Sequence, residues 1–132
     1  MQTRQLSHFE GHWHLARTIT HGDGLTATLS GTATFTPRGR ALDYEELGAL
    51  SIAGAAPFEA SQRYTWGAPL RVFFPDGRPF HDVPASGGTA SHWCAPDQYD
   101  GAYDFADWPT WRVTWQVRGP RKDYTSETTY WR

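Results

Sequence analysis

The chain has 132 residues, a formal net charge of −2, 15% aromatic residues and a single cysteine. That length fits one domain able to bury roughly two-thirds of the surface its unfolded chain exposes. So small a net charge excludes the long-range field that nucleic acid or anionic lipid would need, and no apolar stretch is long enough to span a bilayer.

Residues 1–10 lack the hydrophobic core of a signal peptide. With Leu6 and Phe9 they read as a short helix or lid ahead of the strands of one domain, 1–132. Residues 11–20 alternate, with Trp13, Leu15, Arg17 and Ile19 on one face and His12, His14, Ala16 and Thr18 on the other. Gly22-Asp23-Gly24 supplies the positive-φ positions of a tight hairpin. Residues 25–36 carry Leu25, Ala27, Leu29, Gly31, Ala33 and Phe35 on one face, and Pro37-Arg38-Gly39 marks the next turn. Residues 41–52 read as a strand with a bulge near Gly48 that brings Leu42, Tyr44 and Leu50 to one face.

Phe58, Ala60, Gln62, Tyr64 and Trp66 align on the following strand, and Leu70 to Phe74 form a short apolar one. Pro75-Asp76-Gly77-Arg78 is a hairpin turn, and the chain returns through Phe80-His81-Asp82. A Pro/Gly/Ser loop at 84–89 leads to a strand through Ser91 to Cys94. Tyr99, Gly101, Tyr103 and Phe105 alternate on the next, and Trp111, Val113, Trp115 and Val117 on the one after. Gly119-Pro120 begins a turn into a final strand, Tyr124 to Arg132. Nine or ten short strands joined by hairpins predict an all-β fold: one antiparallel up-and-down β-barrel of about 8–10 strands, since closure removes sheet edges. An immunoglobulin-like sandwich lacks its Cys…Trp…Cys framework here. In the barrel the first and last strands meet, Trp13 plugs one end, and the Arg132 guanidinium stacks over it.

Several segments carry a resemblance. Phe9-Glu10-Gly11-x-Trp13, Phe74-x-Asp76-Gly77-Arg78-x-Phe80-His81, His92-x-Cys94-x-x-Asp97-x-Tyr99 and Gly119-Pro120-Arg121-Lys122-Asp123-Tyr124 resemble an uncharacterised bacterial domain family. Its members are small stand-alone proteins with no assigned activity, so the resemblance implies a fold and no chemistry. The opening strand is also similar to that of lipocalins, which implies a lipocalin-like, calycin-like barrel.

His81, Asp82, His92, Cys94 and Asp97 are the one concentration of metal-type or catalytic side chains. Zinc is chemically conceivable on such a set, but the spacing matches no standard finger. Haem is the other cofactor considered, because some ten-stranded calycin-like barrels hold it; neither is favoured. A nucleophilic Cys94 would need His81 or His92 as base, with Asp82 or Asp97 to orient it. The plainer reading makes these groups hydrogen-bond partners of loops and Cys94 a small buried apolar residue.

Arg17 shares the Trp13 face, so its charge must meet either a protein carboxylate such as Glu45 or Glu59 or the acid group of a ligand. Tyr44, Tyr64, Trp66, Tyr103 and Trp115 could line the cup around it, or simply fill it. Arg121 and Tyr124 could grip an anion at the barrel mouth. The leading function is therefore a barrel binding a small apolar or aromatic molecule with an anionic end. The alternatives are an enzyme with an acid/base or Cys/His site at the mouth, and a filled barrel serving as an interaction domain. A lone cysteine suits a cytoplasmic setting. Nucleic acid and membrane are not expected partners, and a homodimer is left open.

Overall fold

The structure, a computed structural model, describes residues 2–132. A one-turn helix α1 (Leu6–Phe9) precedes ten strands: β1 (Gly11–His21), β2 (Thr26–Arg38), β3 (Ala41–Ile52), β4 (Phe58–Gly67) and β5 (Arg71–Phe73). The second half comprises β6 (Pro79–Asp82), β7 (Gly88–Cys94), β8 (Asp97–Asp104), β9 (Trp111–Arg118) and β10 (Asp123–Trp131). All pairings are antiparallel, in the order β6-β5-β4-β3-β2-β1-β10-β9-β8-β7. The first and last strands do meet: Leu15 stands opposite Tyr130 and Arg17 opposite Thr128. Sequential neighbours pair as hairpins everywhere but one place. Strands β6 and β7 lie side by side without a backbone ladder, so the lipocalin-like barrel is nearly closed.

The alternating pattern becomes an inside and an outside. On β1, Trp13 and Leu15 are each 1% exposed while His12 and His14 face water. On β9, Trp111, Val113 and Val117 are buried and Arg112 and Gln116 exposed. One end of the barrel is filled by rings. Phe9, delivered by α1, is fully buried and packs on Phe35, Trp66, Phe105, Trp108 and Trp111 at centroid distances of 5.1–5.9 Å. Trp13 donates its indole N–H to the Phe9 carbonyl at 2.8 Å, and Arg132 lies 3.8 Å over the Trp13 ring. The same guanidinium donates to the His8 and Glu10 carbonyls, so the terminal Arg ties the helix to the first strand.

Two local expectations are corrected. Strand β3 holds one continuous register against β2 and β4, and the irregularity lies instead at Val72/Phe73. No bulge is needed, because Leu42, Tyr44, Glu46, Gly48 and Leu50 are all two apart and already share a face. Gly31 stands opposite Gly48, and a Cβ on Gly31 would collide with the Leu47 carbonyl; the strands approach too closely there for a side chain. Pro37-Arg38-Gly39 is not wholly a turn either. β2 runs through Arg38, and the reversal is made by Gly39, at φ 61°, with Arg40.

Candidate functional site

Above the ring-filled end, the barrel interior turns polar at one point. Arg17 donates to both carboxylate oxygens of Glu46, at 2.6 Å from Nη1 and 3.0 Å from Nη2, and to the Thr128 hydroxyl at 2.7 Å from Nε. The Tyr44 hydroxyl donates to Glu46 Oε1 at 2.7 Å. It has then spent its only hydrogen, so the Tyr130 hydroxyl, 2.9 Å away, must be the donor in the Tyr130–Tyr44 bond. Phenolic protons thus run in file from Tyr130 through Tyr44 to the carboxylate. The Arg17 and Glu46 side chains are 15% and 4% exposed. Burial works most strongly against the guanidinium charge, but the Glu46 bonds together with the attractions of Tyr130, Glu46 and Tyr44 outweigh it and hold its pKa above the ordinary value. Burial pushes the Tyr130 phenol up to about 12 and the Tyr44 phenol well above its usual value, so both stay protonated at neutral pH.

Between this network and the mouth lies a cavity of about 190 Å³. Trp66, Trp111, Val113 and Val117 form its apolar wall, with Tyr64, Phe80, Trp115, Tyr99 and Tyr124 towards the opening. Trp115 can lie across the barrel because its cross-strand partner is Gly101. A Cβ there would come within 2.7–2.8 Å of the indole ring. The Trp115 ring stacks on Phe80 at 5.3 Å and 20°. Phe80 in turn stacks on Phe74 at 4.7 Å and meets His92 edge-on at 5.3 Å. The gap between β6 and β7 is thereby closed by rings.

His81 is buried and lines the cavity, with Nε2 2.7 Å from the Tyr103 hydroxyl and Nδ1 without a partner among the described residues. Burial pushes its pKa down to about 4, so it is neutral at pH 7. The Tyr103 phenol is pushed well above its usual value, also by burial. At the mouth, Lys122 donates to the Tyr99 hydroxyl at 3.1 Å and pairs with Asp97 at 3.2 Å. The Tyr99 bond, then the Asp97 bond, raises the lysine's pKa. Gly119 permits this clasp, since a Cβ on it would collide with the Asp97 carboxylate.

Of the residues singled out from sequence, Arg17, Tyr44, Tyr64, Trp66, His81, Tyr103, Trp115 and Tyr124 border one cavity. Three do not. Arg121 is exposed in the β9–β10 turn, where Lys122 and not Arg121 makes the mouth contact. His92 packs half-buried on Phe74 and Phe80 at the seam. Cys94 is exposed, which corrects its reading as a buried apolar residue: it ends β7 opposite Asp97, at the hairpin tip, beyond the core. The polar cluster also disperses, for Asp82 turns outward to Arg71 at 3.0 Å. Among the described residues no group of three or more His, Cys, Asp or Glu could hold a metal ion, and no hydrogen bond joins Cys94 to His81 or His92.

The partner of Arg17 is neither Glu45 nor Glu59. Glu45 is exposed and pairs outward with Arg63 at 2.6 Å, and Glu59, opposite Ala49, is exposed too. Glu46, Tyr130, Thr128, Phe80 and Tyr99 are cavity residues that sequence reasoning passed over. For Glu46 and Thr128 strand alternation was a usable signal.

The chain belongs to a family of unknown function, DUF6314, whose model matches residues 9–132. No curated protein matches it. Among solved structures, an S-type phycobiliprotein lyase from Guillardia theta is similar, with a TM-score of 0.68 over 96% of this chain and 89% of that one, at 8% identity. The likeness is one of fold. No helix among the described residues is long and apolar enough to cross a membrane.

Proposed function

We propose that this chain is a small-molecule-binding barrel that takes an aromatic or largely apolar ligand into the cavity between the Arg17–Glu46 pair and the β6–β7 seam. One observation carries the reading: about 190 Å³ is left open in a barrel whose other end is filled to completion by rings. An apolar cavity of about 150 Å³ admits benzene, so this one suits a ligand of about one substituted ring. It lies below the usual range of about 300–1,000 Å³ for drug-sized ligands. The lyase-like barrel supports a cup rather than a solid plug as the architecture. A filled interaction domain would have no reason to leave this volume empty beside hydroxyls and a buried ion pair.

An anionic ligand end, one of the two partners the sequence left open for Arg17, loses its ground because Glu46 already neutralises the guanidinium. The test is native mass spectrometry of the protein purified from its own host, followed by denaturing release and identification of any retained small molecule. A retained aromatic compound, and a raised Tm with one-ring aromatics added, are expected. Neither being seen would overturn the reading.

A further inference from the structure

The hydrogen-bonding groups of the cavity wall narrow the class of ligand, which rests on the binding role just proposed. The Arg17 guanidinium carries five N–H bonds. Three are taken by Glu46 and Thr128, and the second hydrogens of Nη1 and Nη2 have no hydrogen-bond partner among the described residues. Thr128 accepts from Arg17 Nε and donates no hydrogen bond among the described residues, and the buried Ser126 hydroxyl has no side-chain bond there either. His81 Nδ1 and Trp111 Nε1 are without partners too among the described residues, but both atoms are shielded from the cavity and neither can reach a ligand there.

The one charged acceptor in that wall, the Glu46 carboxylate, is by contrast engaged. Glu46 receives three bonds, and Tyr44 receives one from Tyr130. Formal charge sums to zero across the Arg17–Glu46 pair. A ligand carboxylate seated here would lie beside the Glu46 carboxylate with only a guanidinium already committed to that acid, and like charges in a low-dielectric site repel strongly. A ligand cation would lie beside the Arg17 guanidinium, whose only neutralising carboxylate is already committed to it.

We infer that the cavity takes an uncharged, one-ring-sized aromatic molecule bearing a carbonyl-type acceptor, with that oxygen towards Arg17 and Thr128 and the ring against Trp111, Val113 and Trp115 of the cavity wall. Neutral ketones, aldehydes, esters and amides belong to this class; free carboxylates and amines do not.

Four probes of matched size separate the outcomes: acetophenone, benzoate, benzylamine and toluene, each titrated by NMR into the full-length protein. Acetophenone should bind at least tenfold more tightly than benzoate or benzylamine, and severalfold more tightly than toluene. The double variant Arg17→Met/Glu46→Met removes both charges together and so strands neither. In it the acetophenone preference over toluene should vanish while toluene still binds. Benzoate binding as well as acetophenone, or toluene matching acetophenone in the unaltered protein, would overturn the ligand class and leave the binding role standing. None of the four binding would overturn the binding role itself.

Discussion

Arg17 on β1 and Glu46 on β3 meet at 2.6 Å across the whole width of β2, inside the barrel. Neither has solvent to fall back on, so each depends on the other for its charge to be tolerated. Removing one partner leaves the other stranded, whereas removing both can be nearly neutral. Arg17→Met should therefore destabilise the fold by about 3–5 kcal/mol, and Arg17→Met/Glu46→Met should recover most of it. Urea unfolding of the two single variants and the double variant gives the cycle. Additive single effects would mean that the ion pair is not the coupling seen in the structure.

Trp13 closes the ring-filled end, 1% exposed, bonded to Phe9 and covered by Arg132. Trp13→Ala leaves a large void among rings that cannot collapse, at a cost of about 3–5 kcal/mol. Arg132→Ala removes a cation–π contact and two bonds to carbonyls, and about 1–2 kcal/mol is expected. A loss under about 1 kcal/mol for Trp13→Ala, measured by thermal or chemical unfolding, would falsify the plug.

His81 gives stability a pH dependence with a definite sign. Its folded pKa of about 4 lies below the ordinary 6.5, so the unfolded chain binds the proton more readily. The stability held by neutral His81 is fully present above about pH 6.5 and is lost as pH falls from there towards 4. Between pH 7 and pH 5 that loss is about 2 kcal/mol. The nearby titratable groups are Asp82, which opposes the shift, and His92, which adds to it. Comparing the unfolding free energy of the protein with that of a His81→Gln variant at both pH values isolates the contribution. Equal pH slopes would show that His81 does not titrate as its burial requires.

Gly101 makes room for the Trp115 indole. Gly101→Ala must push that ring off Phe80, costing about 1–3 kcal/mol in overpacking. Because Trp115 then shifts within the cavity wall, probe affinity should fall along with stability. Unchanged acetophenone binding in a folded Gly101→Ala protein would mean that Trp115 is not a ligand contact.

Cys94 faces water at a hairpin tip and contributes nothing to the core. Cys94→Ser should change stability by no more than about 0.5 kcal/mol. The native protein should react with a thiol reagent without first unfolding. Protection from the reagent until denaturation would contradict its exposure.

Alternation made most of the barrel legible from sequence. Trp13, Leu15 and Arg17 on β1, and Trp111, Val113 and Val117 on β9, face as period two requires. The same rule pointed to Glu46, since it lies two residues from Tyr44. A bulge at Gly48 would leave that parity untouched, and alternation also turns Glu45 and Glu59, the carboxylates named as partners for Arg17, to the outer face. The His81–Tyr103 contact had no local signal, because it joins strands from either side of the β6–β7 gap. Cys94 shows the limit of parity at strand ends: it shares a face with His92, yet lies past the last layer the barrel encloses.

The aromatic closure between β6 and β7 bears on how the barrel can change size. Where every neighbouring strand is laddered, the circumference is fixed by backbone bonds that break only at considerable cost. Here one joint of the hoop is made by Phe74, Phe80 and His92, whose contacts are non-directional and can slide by tenths of an ångström. The lumen is therefore sprung along one side: guests of slightly different girth can be taken up by displacement at this joint, while the other nine strand pairings stay intact.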